Sequence, residues 1–384
     1  MRIFLRAIIV HLLINIYVFW RGWQGLPAKR SIRVPYTLLF VIELIIYLIG
    51  FIFHETIPLD WMSTISWIGG SWTIFILYMA IMLLLYDLVY ITNKRLKYLP
   101  EKINFTSRKT RFMLFSLGLM VVIPMMSWGS YRFRNPVITE KNLIIEKANP
   151  KHSKVRIVMV SDLHIGALIQ RNMLAKYIDL INEQKPDLVL IVGDIIDFNL
   201  KPILEQQVDE EFKRIEAPLG VYGSTGNHDY IQDKHEESGA KIKWLTDNSG
   251  IHILRDTHTL VDSFFYVVGR EDDKCLNRKQ ISDIMSGIDQ TKPIILLNHE
   301  PHRLQEDADS GADLALYGHT HNGQIFPWNY VVSWFYEKSY GYLKKDNTHI
   351  YISSGLGLSG PQYRIGTVSE IVVLNLEFRN ESIR

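Results

Sequence analysis

Cysteine is all but missing. The 384-residue chain holds one, Cys275, which excludes an intrachain disulfide and any thiolate metal cluster and says nothing about compartment. An excess of charge of one sign is missing too: 42 Lys and Arg stand against 40 Asp and Glu, a net +2, which argues against nucleic acid as the main partner. There is no internal repeat and no low-complexity tract. With 47% hydrophobic and 21% charged residues, the chain is neither disordered nor collagen-like. A nucleophile elbow is absent as well, which disfavours a Ser-His-Asp hydrolase. What remains is an apolar surplus: a mean hydropathy of +0.03 is higher than a purely soluble enzyme usually shows.

That surplus lies in the first third. Ala7–Trp20, Val34–Phe53, Met62–Tyr86 and Phe112–Ser130 are apolar, and a bilayer-spanning helix needs about 20 such residues. The third and fourth stretches contain no charged residue; the second carries Glu43; the first reaches spanning length only if Arg6 snorkels to the interface. Core helices of a soluble protein are the competing explanation. The rim of Trp20, Trp23, Trp61, Trp72, Tyr86, Tyr90, Trp128 and Tyr131 fits interfacial aromatic belts better. A cleavable signal peptide would explain Arg2, Arg6 and the first run, but Leu26-Pro27-Ala28 is a poor cleavage site. A retained helix is expected. Glu43 is either a functional intramembrane carboxylate or a protonated, hydrogen-bonded one inside a four-helix bundle.

Loop charges predict orientation. The first connection carries Arg21, Lys29, Arg30 and Arg33, and the third carries Lys94, Arg95, Lys97, Lys102, Arg108, Lys109 and Arg111. His54–Ser63 between them has Glu55 and Asp60 and no Lys or Arg. Basic loops stay in the cytoplasm, so both ends of the helical region, and whatever follows it, are expected outside. Arg2, Arg6, Arg132 and Arg134 oppose this and are outnumbered.

From Pro136 the pattern becomes mixed α/β, so residues 1–134 are expected to form an all-α membrane region of about four helices and residues 135–384 a second domain. Strands are predicted at Val137–Glu146, Val155–Val160, Leu188–Val192, Val221–Ser224, Phe264–Gly269, Ile294–Asn298, Leu314–Tyr317, Ile350–Ser353 and Glu370–Leu376. Helices are predicted at Arg171–Glu183, Leu204–Ile215, Lys234–Asn248 and Arg278–Ser286. Strands alternating with helices indicate a layered α/β domain, and runs such as IVMV and LVLIV suggest strands buried on both faces.

Polar groups able to bind metals follow five of these strands: Ser161-Asp162-Leu163-His164, Gly193-Asp194-Ile195-Ile196-Asp197, Gly226-Asn227-His228-Asp229, Asn298-His299-Glu300-Pro301-His302 and Gly318-His319-Thr320-His321. Ligand sites in open α/β sheets lie beyond the carboxyl ends of strands, so these loops are expected to converge. One such loop is a commonplace turn. Five in order are not.

The order Asp-x-His, Gly-Asp-x-x-Asp, Gly-Asn-His-Asp, His, Gly-His-x-His resembles the calcineurin-like metallophosphoesterase superfamily, from about Pro136 onward. With apolar helices in front, Gly-Arg-Glu-Asp-Asp at 269–273 and Gly-His-Thr-His-x-Gly-Gln at 318–324, it is similar to the membrane-anchored branch. The resemblance implies an α-β-β-α sandwich. It implies that Asp162, His164 and His321 bind one metal, that Asn227, His299 and His319 bind a second, and that Asp194 bridges both. His228 matches the catalytic histidine that protonates the leaving group, and Asp197 the carboxylate that orients it. The residue types agree on their own terms: mixed imidazole and oxygen donors suit two divalent ions of Mn, Fe or Zn, and a metal-bound hydroxide attacking phosphorus needs a nearby acid. A phosphodiester or pyrophosphate, lipid-linked or soluble, is the expected substrate, with the bilayer as the second partner. A phosphate-binding receptor or scaffold without turnover is the alternative, and a transporter built on the helices is disfavoured by their lack of an inverted repeat.

Other residues are discounted. Asn322 stands where the family often has Gly and tolerates the left-handed turn. Arg364 either reaches a phosphate or forms a structural bridge. His302 is expected beside the ligands rather than among them. His152, His235, His252 and His258 read as surface or packing residues, and Asp272 and Asp273 as a solvated loop.

Overall fold

A computed structural model describes residues 2–53, 56–100, 102–147, 153–231 and 239–379. The chain divides into two compact units, Met1–Ser130 with Gly360–Gln362, and Tyr131–Ser359 with Tyr363–Arg384.

The first unit is built from helices α1 (Arg2–Gly25), α2 (Arg30–Ile52), α3 (Leu59–Leu96) and most of α4 (Arg108–Arg134). Among the described residues, Arg30–Gly50, Leu59–Leu96 and Arg108–Arg134 are long and apolar enough to cross a membrane. α1 carries His11, Asn15 and Arg21 along its length. Its polar groups face partners on the other helices. His11 Nε2 lies 3.3 Å from the buried Glu43 carboxylate, Trp72 Nε1 donates to Asn15 Oδ1 at 2.9 Å, and Tyr17 and Arg21 both reach Asp87 on α3. Glu43 is therefore paired inside the bundle rather than turned to lipid.

The second unit carries two six-stranded sheets. Its strands are β1 (Val137–Ile145), β2 (Lys154–Ser161), β3 (Leu188–Val192), β4 (Val221–Ser224), β5 (His252–Ile253), β6 (Thr257–Val261), β7 (Phe265–Gly269), β8 (Ile294–Leu297), β9 (Leu314–Tyr317), β10 (Gly341–Lys345), β11 (Thr348–Ile352) and β12 (Glu370–Phe378). The first sheet runs β1-β12-β2-β3-β4-β5 and the second β10-β11-β9-β8-β7-β6. Within them β2, β3 and β4 are parallel, as are β7, β8 and β9.

Alternate residues of both sheets meet in one apolar layer: Ile157, Met159, Leu188 and Leu190 from the first, Phe265, Val267, Leu314 and Leu316 from the second. The outer face of the first sheet (Val158, Val160, Val189, Ile191) is covered by α5 (Arg171–Glu183) through Leu174, Tyr177, Ile178 and Ile181, with α6 (Lys201–Gln206), α7 (Asp209–Phe212) and α8 (Ala240–Asn248) beside it. The outer face of the second sheet packs on α9 (Ile281–Met285) and α10 (Leu304–Asp309). Strands covered on both faces are why IVMV and LVLIV are apolar at every position. The result is the expected α-β-β-α sandwich, completed by the short α11 (Trp328–Phe335).

The predicted helix Leu204–Ile215 is broken: Gln207 adopts φ +53° and separates α6 from α7. The predicted helix Lys234–Asn248 is present from Ala240; residues 234–238 lie outside the described residues, as do His152 and His235. The strands β5, β6 and β10 and the helices α10 and α11 were not anticipated.

Candidate metal centre

Five loops at the carboxyl ends of β2, β3, β4, β8 and β9 bring every predicted site residue together. Backbone geometry shows how tightly. Asp162, His164, Asp194, His319 and His321 all sit at positive φ, from 48° to 69°. Non-glycine residues bear such strain where surroundings enforce it, and functional sites are where it collects. Two glycines permit the closest approaches. A Cβ on Gly226 would lie 2.3 Å from Asp194 Oδ1, and one on Gly318 2.4 Å from Asp162 Oδ2.

The side chains form two linked clusters. Ligand atoms of Asp162, His164 and His321 lie within 4.8 Å of one another, as do those of Asp194, His299 and His319. Asn227 joins the second through Oδ1, 2.9 Å from His319 Nδ1. Asp194 stands between the clusters, with Oδ2 3.2 Å from His299 Nε2 and 3.6 Å from His164 Nε2.

The imidazole nitrogens reveal what the site is built to hold. His299 Nδ1 lies 2.9 Å from the Val192 carbonyl and donates to it, so a neutral ring has a lone pair on Nε2. That buried nitrogen has no hydrogen-bond partner among the described residues, yet faces Asp194 Oδ2 and, at 3.9 Å, Asp162 Oδ1. Likewise, His164 Nδ1 approaches Asp197 Oδ1 at 3.3 Å, and its Nε2 faces His321 Nε2 at 3.2 Å. Imidazole nitrogens and carboxylate oxygens thus converge on the same small volumes, as ligands around a shared cation do. The donor set fits divalent metal.

Titration behaviour reports the same field. Burial opposes protonation of His299, but the carboxylates of Asp194 and Asp162 outweigh it and raise its pKa well above the usual imidazole value. A proton is the smallest cation that relieves this potential. His319, by contrast, is lowered to about 4 by burial and by the charge of His299. Burial also holds His321 well below its ordinary value. Both remain neutral, as metal-ligating imidazoles must be.

His228 occupies the rim. Its backbone N–H donates to Asp194 Oδ1 at 2.7 Å, and its Nδ1 lies 2.9 Å from Asp197 Oδ1. Nδ1 is thereby committed as a donor, leaving Nε2 to exchange a proton. Burial works to raise the Asp197 carboxyl, but the hydrogen bonds with His164 and His228 win and bring it down to about 2.

Three residues support the site: Asp229 and Lys241, to which the sequence assigns no role, and Arg364. Asp229 accepts the backbone N–H groups of Gly226, Ile195 and Ile196 at 2.9–3.2 Å and so ties the β3 and β4 loops together; burial, then the charge of Asp194, pushes its carboxyl up to about 6. It lay inside the Gly-Asn-His-Asp motif. Lys241 on α8 is buried and donates to the carbonyls of Asp197, at 2.7 Å, and His228, with no sequence signal. Arg364 is fully buried and donates to the carbonyls of His321, Gly355 and Gly357. Among the described residues its hydrogen-bond partners are these carbonyls, which brace the His321 turn.

Among the discounted residues, His258 bonds the Ile284 carbonyl at 2.9 Å and His252 stacks on Tyr222. His302 pairs with Glu300 and stacks on Tyr336. Asp272 departs from the solvated loop expected of it. It is buried, and burial raises its carboxyl to about 6.

Comparison with known proteins follows the geometry. A family model described as calcineurin-like phosphoesterase matches residues 155–323. An uncharacterized metallophosphoesterase of Campylobacter jejuni is 32% identical over 270 residues, 69% of this chain and 70% of that protein. The transmembrane protein with metallophosphoesterase domain of Danio rerio is 28% identical over 259 residues, 63% and 57% of the two chains. An uncharacterized metallophosphoesterase of Bacillus subtilis is 32% identical over 233 residues, 59% and 80%. The matched stretch thus spans little more than half of the zebrafish relative.

Proposed function

The chain belongs to the calcineurin-like phosphoesterase family, which brings metal-dependent phosphoester hydrolysis as its class of activity, and on that premise we propose a membrane-anchored phosphohydrolase with a dinuclear centre. Residues 1–134 are the anchor and 135–384 the catalytic domain. Asp162, His164 and His321 hold one divalent ion, Asn227, His299 and His319 the other, and Asp194 bridges them. Mn, Fe or Zn suits these donors. When bound, the ions supply a nucleophilic water and draw charge from the phosphoryl oxygens.

The chain's own residues do the rest. Asp162 and Asp194 supply the negative charge that concentrates cations, while Asn227 and the histidines add none that would repel an anionic substrate. Asp197 fixes the His228 tautomer through Nδ1. His228 Nε2 then gives its proton to the departing oxygen of a phosphodiester or pyrophosphate.

The observation that carries this reading is the buried Nε2 of His299, which makes no hydrogen bond among the described residues and lies 3.2 Å and 3.9 Å from the carboxylates of Asp194 and Asp162. The purified full chain with Mn²⁺ is expected to release nitrophenol from bis(p-nitrophenyl) phosphate. His228→Asn is expected to lower kcat by about 10²–10⁴ with metal content unchanged. Should the metal-loaded wild type release no product while binding phosphate as tightly as that variant, a non-hydrolytic receptor is the better description.

The catalytic domain is placed on the extracytoplasmic side. Lys29, Arg30 and Arg33 stand at the start of α2, and the basic residues from Lys94 to Arg111 span the end of α3, the connection after it and the start of α4. With both basic segments inside, the chain leaves α4 on the outside whether α1 spans or not. Protease protection on intact cells tests this.

A further inference from the structure

The segment after the last metal-ligand motif has no catalytic assignment and an unusual surface. Phe326, Trp328, Tyr330, Trp334 and Phe335 crowd ten residues, and all five are between 48% and 81% exposed. α11 contributes no buried residue. Isolated surface aromatics are ordinary, but a contiguous apolar patch marks a surface that meets something.

The segment is held firmly. A Cβ on Gly323 would lie 2.4 Å from the backbone nitrogen of Asn329, so α11 starts hard against the His321–Gly323 turn. The Phe326 N–H also donates to the Ile365 carbonyl at 2.7 Å. The aromatic side chains are presented, not frayed.

Two observations select a lipid surface as the occupant. First, the composition is that of a membrane interface: Trp and Tyr, with an apolar ring and one polar atom, favour the headgroup level. Second, α4, one of the helices long and apolar enough to cross a membrane, ends at Arg134, and β1 begins at Val137. Such a junction reaches only about 10 Å, less than the roughly 18 Å radius of gyration of a 250-residue domain. A domain on so short a lead stays close to the interface.

We propose that Phe326–Phe335 seats in the headgroup region of the bilayer, docking the catalytic domain by a second, non-spanning contact beside its metal-ligand turn. This rests on the membrane-anchored reading, and the test separates the two. In the full chain with Cys275→Ser, a single cysteine carrying an environment-sensitive dye is placed by Trp328→Cys, Trp334→Cys, Leu84→Cys or Leu276→Cys. Each variant is reconstituted into phosphatidylcholine–phosphatidylglycerol vesicles with nitroxide lipids. Leu84, exposed on α3, reports the anchor, and the fully exposed Leu276 reports bulk water. Labels at 328 and 334 are expected to shift to the blue and to be quenched several-fold more than the label at 276, most strongly by a nitroxide near the headgroup. Quenching at 84 without quenching at 328 and 334 overturns the docking proposal and leaves the anchor standing. Absence at all positions overturns both. Oxidative cross-linking of 334 between copies, with no lipid quenching there, assigns the patch to a second copy of this chain and likewise overturns the proposal.

Discussion

Asp197 and His228 meet through a single pair of atoms: Oδ1 of the carboxylate lies 2.9 Å from Nδ1 of the imidazole. A carboxylate there holds the ring through Nδ1 and leaves Nε2 facing the leaving group. Asp197→Asn is expected to lower kcat by about two to four orders of magnitude, with KM little changed. A variant that keeps the wild-type kcat would separate Asp197 from the proton transfer.

The same carboxylate makes the metal-free protein sensitive to acid. Its folded pKa of about 2 lies below the ordinary aspartate value of 3.8, so its stabilisation is present above about pH 4 and is lost as pH falls through about 2. The difference corresponds to about 2 kcal/mol. Denaturant titrations in chelator between pH 5 and 2 should show wild type losing that much more stability than Asp197→Asn. Parallel curves would assign the acid sensitivity elsewhere.

Gly318 offers a steric test of the centre. A methyl group there meets Asp162 Oδ2 at 2.4 Å and Ser161 at 2.8 Å, and Asp162 also accepts the His319 N–H at 3.0 Å. Gly318→Ala must displace this carboxylate or the turn, at about 1–3 kcal/mol. Metal analysis is expected to show at least one ion lost and activity lost with it. Full metal occupancy in a folded variant would contradict the assignment of Asp162.

The contrast between what was and was not readable in the primary structure has a physical cause. Leu188–Val192, Val221–Ser224 and Leu314–Tyr317 were anticipated to the residue, because strands buried on both faces are apolar throughout and end abruptly at polar loops. The ligand types were visible for the same reason, standing directly after those strands. Edge strands gave no such contrast: β10, Gly-Tyr-Leu-Lys-Lys, is partly exposed along its length. α11 is only eight residues long, and its two polar positions, Asn329 and Ser333, are too few to establish a helical period. Arg364 illustrates the remaining limit. Its carbonyl partners, at His321, Gly355 and Gly357, converge only in the folded chain, and backbone acceptors leave no mark in residue types.

Arg364→Lys tests that brace. One ammonium cannot reproduce a planar guanidinium that reaches carbonyls at 2.6, 2.9 and 3.0 Å. Buried acceptors left bare cost about 1–3 kcal/mol each. A loss of about 3 kcal/mol in unfolding free energy is expected, together with weakened metal binding at His321. Phosphate affinity per metal-loaded site should be unchanged, since both terminal nitrogens of the guanidinium are directed at carbonyls. A selective loss of phosphate affinity would instead make Arg364 a substrate ligand.

Lys241 acts at a greater distance from the reaction. Its buried ammonium draws the carbonyls of Asp197 and His228 toward one point on α8, so a single side chain sets the spacing between the proposed acid and the carboxylate that orients it. Lys241→Met keeps the apolar stem and removes the charge-assisted hydrogen bonds, each worth about 1.5–3 kcal/mol. Its described hydrogen bonds go to carbonyls, and metal occupancy is expected to survive. The expected signature is a kcat reduced about tenfold or more, with KM near wild type. A variant that loses stability but keeps kcat would make Lys241 a structural brace without influence on the proton donor.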